Sequence, residues 1–430
     1  MRSGVQKAVV MTARMLVVTL LLCGVATAQI RVGVDVGDIS PRAKEGEASC
    51  LGGYGLPYSR CGVVAINDPI TVRAIFIGDG EQHLLLVVFD TVGLGSRFIR
   101  DTTKAIAERM GSVEGVDEEA IVLAATHTHA GPDLQGLWGG IDDEYRERII
   151  NITISVASRA VTKARAAIAY VAEAPVETRN RRGMPYVDKT AEALQFRDQD
   201  TGDVIATLVS ISAHPTILGK DNERYSSGYV HFIRSEVERE YGGSTVFVNS
   251  ILGDAEPDVK GRNHQAMRIF GVAAARSIID ALRSPSKVNG AFAVEFSQFA
   301  HHVSNWLIRF ATFVGLLDLD LENGEMSTRL GVFSFGDDVG GILFPGEALS
   351  SLGATIQRAL PVKHRLFFGL SGDTLGYFIP SREYDAVPGR DTEESVCVDP
   401  SIGDDVEVAF VQLIRGHWAA RGGSRQVGDR

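Results

Sequence analysis

The stretch from Ala120 to Pro132 constrains this chain more than any other. Ala120-Ile121-Val122-Leu123-Ala124 is an apolar run of strand length and reads as a buried strand. It leads into Thr126-His127-Thr128-His129, and Gly131-Pro132 then forces a turn. Residues at i and i+2 of a strand point to the same side, so both imidazoles are expected to face one cleft. A strand end is a common position for a site in an α/β chain. One histidine there can ligate a metal while its neighbour moves protons. The same spacing also fits two structural histidines in a polar turn.

Two further apolar strands end in polar chemistry. Val204 to Ser212 runs into Ala213-His214-Pro215-Thr216, and Ser244 to Asn249 runs into a loop holding Asp254 and Glu256. Ile30 to Ile39 alternates like a strand, and Ile70–Ile77 and His83–Phe89 flank Gly78-Asp79-Gly80 as a hairpin. Helices are expected from Ser96 to about Met110, Asp143 to about Ala167, after Gly228 to Tyr241, Ala266 to Leu282 and Ile402 to Arg415. Glu347 is expected to open another, to about Leu360. Trp306 to Leu317 is strongly apolar and reads as a buried helix; the alternative is an apolar rim that meets lipid tails. Helices alternate with strands throughout. The expected class is α/β (α+β), with layered mixed β-sheets flanked by helices in a single catalytic domain over 29–430.

The first 28 residues read as a signal peptide. Arg2, Lys7 and Arg14 precede the apolar run Met15 to Val25, and Ala26-Thr27-Ala28 fits a cleavage site. The run is too short for a membrane span, so a secreted or periplasmic protein starting at Gln29 is expected. Removing three bases and no acid takes the formal charge from −11 to −14, which argues against nucleic acid or strongly anionic membranes as partners. Of the cysteines that remain, Cys50 and Cys61 flank a Gly-rich loop and form the expected disulfide, leaving Cys397. No Cys-x-x-Cys suggests a zinc cluster.

A hydrolytic zinc site needs three or four N or O ligands. The chain offers His127 and His214 at strand ends and Glu347 after Pro345-Gly346. Each alone has a plain structural explanation, as does Tyr377, which reads as a buried aromatic.

Seven segments in order resemble the neutral, non-lysosomal ceramidases, which are zinc amidases. They are Val-Gly-Val-Asp-Val-Gly-Asp-Ile at the start, the His-Thr-His turn with Gly-Pro, Asn180-Arg181, Ala-His-Pro-Thr, Asn249 through Gly253-Asp254 to Pro257, Pro345-Gly346-Glu347, and Gly376-Tyr377 through Arg382-Glu383-Tyr384. The resemblance implies one Zn2+ ligated by His127, His214, Glu347 and Tyr377. It places His129 and Arg181 beside the metal as catalytic residues. Asp254 and Glu256 are expected to be substrate-binding residues on their own chemistry, since two close carboxylates raise the local negative potential and disfavour anionic substrates. It also implies a lipid amide substrate, with transient contact to a membrane or micelle surface. Glu256 stands where many members have serine, a second active-site tyrosine is not found near Val387-Pro388-Gly389-Arg390, and a short form without a C-terminal immunoglobulin-like domain is expected. Three readings follow: an amidase for ceramide or a similar N-acyl lipid, a sister zinc hydrolase for another amide or ester, and a non-catalytic secreted binding protein.

Overall fold

The computed structural model describes residues 29–42, 47, 49–55, 57–111, 116–385 and 392–422. The expected signal segment and the stretch 387–390 lie outside them.

Two β-sheets lie face to face between two layers of helices. Among the described residues the larger has nine strands; along its main path the order is Ser244–Asn249, Val204–Ile211, Thr190–Asp198, Arg165–Pro175, Arg31–Asp38, Thr71–Gly78, His83–Phe89 and Ile121–Ala125. Side chains alternate in direction along a strand, so each strand here serves two cores. Ile75, Ile77, Leu84, Leu86 and Val88 pack against Phe333, Phe335, Leu343 and Phe368 of the second sheet. On the opposite face Val72, Ala74, Leu85, Val87 and Phe89 pack under the helices Ser96–Met110 and Asp143–Thr162, and Val209, Ile211 and Phe247 under Tyr229–Tyr241 and His264–Ala281. The second sheet runs Phe292–His302, Glu325–Phe335, Val339–Leu343, His364–Phe368, and its outer face is covered by Ser350–Arg358 and Ile402–Ala419. Strands buried on both faces need apolar runs, which is why Leu-Leu-Leu-Val-Val-Phe occurs at 84–89.

Two strand pairs in the large sheet are parallel, each joined by a helical crossover. His83–Phe89 pairs with Ile121–Ala125 across the Ser96–Met110 helix, and Val204–Ile211 with Ser244–Asn249 across Tyr229–Tyr241. The sheet curls until its edge strands Ser244–Asn249 and Ile121–Ala125 make contact. Asn249 Nδ2 donates to the Thr126 carbonyl at 2.5 Å, and the 369–370 backbone binds both edges, Gly369 N–H donating to Asn249 O and Ala125 N–H to Leu370 O. The carboxyl ends of all four strands therefore open onto one place.

Three expectations are corrected. The helix from Asp143 stops at Thr162, because Arg165 already begins a strand of the large sheet. Glu347 does not open a helix: it lies in the two-residue strand Glu347–Ala348, and the helix starts at Ser350. The Trp306–Phe313 helix is not buried, Ile308 being its one buried residue.

Candidate active site

The strand Ile121–Ala125 ends two residues before His127, whose φ of 62° is left-handed. Strand alternation is therefore not what aims the two imidazoles. A left-handed residue with a Cβ costs about 1–2 kcal/mol and persists only where its surroundings fix it. Here Thr126 N–H donates to Phe89 O at 2.9 Å and Thr126 Oγ1 to Asp90 Oδ1 at 3.2 Å. Thr128 Oγ1 donates to Ser226 O at 2.7 Å. Asp90 is fully buried, accepts from Thr71 N and Oγ1, and pairs with Arg234 Nη1 at 2.8 Å. Burial alone would raise its carboxyl pKa; Arg234 and the Thr71 donors outweigh burial and hold it low.

His127 Nδ1 lies 2.5 Å from Val92 O, and His214 Nδ1 3.1 Å from Ala255 O. A carbonyl can only accept, so these partners assign the proton to Nδ1 in both rings and leave each Nε2 with a lone pair. Glu347 Oε2 is 2.9 Å from His214 Nε2 and 3.4 Å from His127 Nε2. Tyr377 OH is 3.3 Å from His214 Nε2. Glu347 sits directly beside Tyr377 because their short strands pair in parallel. Buried Glu347 Oε2 has no hydrogen-bond donor among the described residues. Lone pairs converging on one point repel unless a cation lies between them, and two imidazole nitrogens with carboxylate and phenol oxygens suit zinc. Burial, with Arg181 nearby, lowers His214 to about 4.

His129 joins this group: its Nε2 is 3.3 Å from His127 Nε2, and the ligand atoms of His127, His129 and His214 lie within 4.8 Å of one another. Its second nitrogen differs, however. Buried Nδ1 has no hydrogen-bond partner among the described residues, whereas the other two rings are anchored there. Metal-bound histidines are usually anchored through their other nitrogen, which makes His129 the ring best suited to carrying a proton. Burial pushes its pKa well below the ordinary imidazole value. The Tyr54 ring stands edge-on at 4.7 Å. Gly53 takes φ 96°, and a Cβ there would run into the His129 ring, so this loop has to carry glycine. The loop is tied down by the Cys50–Cys61 disulfide and by Arg60, which donates to Gly52 O and, at 3.2 Å, to His129 O.

Arg181 Nη2 donates to Tyr377 OH and to Gly253 O, each at 2.8 Å, and its Nε lies 2.8 Å from Glu393 Oε1. Burial alone would lower its pKa, but Tyr377 and Glu393 raise it, so it stays charged. Burial raises Tyr377, against the pull of Arg181. Asp254 and Glu256 part ways. Asp254 is buried and absent from the cleft wall; it accepts from Ser350 N at 2.8 Å and from Asn180 Nδ2 at 2.6 Å, bracing the Arg181 loop. Glu256 faces the cleft and pairs with Arg179 at 2.6 Å, its neighbour across two short strands. The two carboxylates therefore do not form an unneutralised pair.

These groups lie along a cleft of about 910 Å³. Its polar side carries His127, His129, Arg179, Arg181, Glu256, Arg262, Glu347 and Tyr377, and its apolar wall includes Leu307, Ile308, Phe310 and Leu317. Sequence reasoning missed Asp90, Asp133, Arg262 and Glu393. Asp133 accepts from Gln135 N, Gly136 N, Trp138 N and Gly140 N, shaping the loop that brings Trp138 to the cleft. Asp directly after an apolar strand was the available signal for Asp90; the others become visible only through distant partners.

No family model matches the sequence, and no curated protein matches it by sequence. Solved structures do match. A neutral ceramidase from Pseudomonas aeruginosa aligns with TM-score 0.76 at 16% identity, covering 91% of this chain and 75% of that one. A ceramidase complexed with C2 aligns with TM-score 0.74 at 15% identity, covering 91% and 76%. At such identity the likeness is one of fold: this chain has the α/β fold of the neutral ceramidases.

Proposed function

We propose that this chain is a secreted zinc-dependent amidase that hydrolyses the N-acyl bond of ceramide or a similar N-acyl lipid. The observation that carries the reading is the convergence of His127 Nε2, His214 Nε2, Glu347 Oε2 and Tyr377 OH beside an apolar-walled cleft. The fold shared with structures described as ceramidases supports it. Zinc held by these four residues would supply Lewis-acid activation of the hydrolytic reaction. His129 takes a proton from the attacking water and returns one to the departing nitrogen, so that OH ends on the acyl carbon and H on the amine. Arg181, fixed by Tyr377, Gly253 O and Glu393, stabilises negative charge as it develops on the carbonyl oxygen. Leu307, Phe310 and Leu317 receive the acyl chain and keep water from it.

A second reading keeps the chemistry and changes the substrate to an amide bearing an anionic group. Arg262 lines the cleft and forms no ion pair among the described residues, while Arg179 answers only Glu256. The deciding experiment is a substrate panel of ceramides and N-acyl amino acids, with and without chelator. Chelator-sensitive cleavage of ceramides ahead of the carboxylates supports the first reading, and the reverse order supports the second. Cleavage of neither, by zinc-loaded protein, refutes both.

A further inference from the structure

The Trp306–Phe313 helix leaves most of its side chains in water. Trp306 is 69% exposed, Leu307 47%, Phe310 55% and Phe313 87%, with Val314 at 45% just beyond. Single exposed apolar residues are ordinary on a protein surface; a contiguous aromatic group is not. The same helix also builds the cleft, since Leu307, Ile308, Phe310 and Ala311 line its wall. Apolar surface is therefore continuous from the outside of the molecule into the candidate site. The helix is fastened at its start: Asn305 Oδ1 accepts from Leu307 N at 3.0 Å, and Asn305 Nδ2 donates to Ser395 O and Cys397 O at 3.0 and 2.9 Å.

Size and charge select the occupant. An eight-residue helix is only about 12 Å long. A stable protein partner usually covers about 800 Å² per side, more than such a helix presents. Insertion to the depth of a headgroup layer needs only one helix face, and Trp is favoured at that boundary. The helix contains one cation, Arg309, and no acid, within a chain of net charge −11. That composition gives no electrostatic pull toward anionic lipid.

We propose that this helix docks on a zwitterionic lipid surface, and that an acyl chain passes from that surface into the cleft along Leu307 and Phe310. The passage rests on the lipid-amide reading above; the docking does not.

The test uses Trp306→Ser/Phe313→Ser, because neither residue lines the cleft. The wild type should float with phosphatidylcholine vesicles, little affected by salt, and brominated phosphatidylcholine should quench its Trp306 emission. The double variant should partition at least roughly tenfold more weakly. It should cleave a short-chain, water-soluble amide as the wild type does, while losing turnover of vesicle-embedded ceramide. Wild-type protein that stays in the aqueous phase, or a variant that floats equally well, overturns the docking. So does a concentration-dependent dimer that the substitutions abolish, since a second copy would then cover the patch. Protein that floats and is quenched but cleaves no amide keeps the docking and removes the amidase reading.

Discussion

Asp90→Asn tests what holds the left-handed turn at His127. The carboxylate is inaccessible and faces Arg234, whose side chain is 3% exposed. Asparagine keeps the shape and can still accept from Thr71 or Thr126, but it removes the charge opposite the guanidinium. Arg73 stands close enough to repel that guanidinium, and the nearby Glu238 carboxylate is already paired with Arg73. A buried charge left unpaired costs about 3–5 kcal/mol. With an unfolding entropy of ~2.1 cal/mol/K per residue over roughly 400 residues, the Tm should fall by roughly 4–6 °C. Calorimetry at pH 7 on zinc-saturated protein measures this, and Asp90→Asn/Arg234→Met should recover much of the loss. The folded pKa of Asp90 lies below its unfolded value, so its stabilisation is complete above the ordinary carboxylate range and lost as pH falls through the folded value. The gap between wild type and variant should therefore be full at pH 7 and shrink only below about pH 4. A variant melting within about 1 °C of wild type at pH 7 would refute the reasoning, since that is far less than an unpaired buried charge costs.

Other substitutions separate the roles inside the site. His129→Ala should keep its zinc and lose roughly two to four decades of kcat; metal analysis showing joint loss of zinc and activity would make His129 a ligand. Gly53→Ala should displace the His129 ring, lowering kcat by at least about tenfold at unchanged zinc content; wild-type kinetics would show that the loop gives way freely. Glu256→Ser frees Arg179 in the cleft that Arg262 also lines, so KM for N-acyl amino acids should fall relative to ceramides, and an unchanged ratio would remove Glu256 from substrate selection.

Much of this architecture is legible in the sequence because apolar strands that end abruptly in His, Asn or Gly-Pro mark their own boundaries. His127, His214 and the Asn249 loop are found that way, and the structure brings them together at converging strand ends. What stays hidden is whatever depends on a distant partner. An apolar run such as Trp306–Leu317 has the same composition whether it is covered or sits at a rim. Asp254 and Glu256 look alike as neighbours, yet Asn180 and Ser350 claim one and Arg179 the other. Glu347 after Pro-Gly resembles a helix start; only its pairing with Tyr377 makes it a strand residue. The left-handed His127 has no local signature, because Asp90, Val92 and Asn249 impose its conformation from elsewhere.

The most direct test of the central claim is elemental analysis of purified wild type and Glu347→Gln, paired with ceramide hydrolysis on the same samples. Glu347 Oε2 faces both ligand nitrogens, so the wild type should carry about one zinc per chain and the variant should bind it at least roughly tenfold more weakly, with activity lost in parallel. Ceramide hydrolysis by zinc-free wild type, or a variant that holds zinc as tightly as wild type, would contradict it.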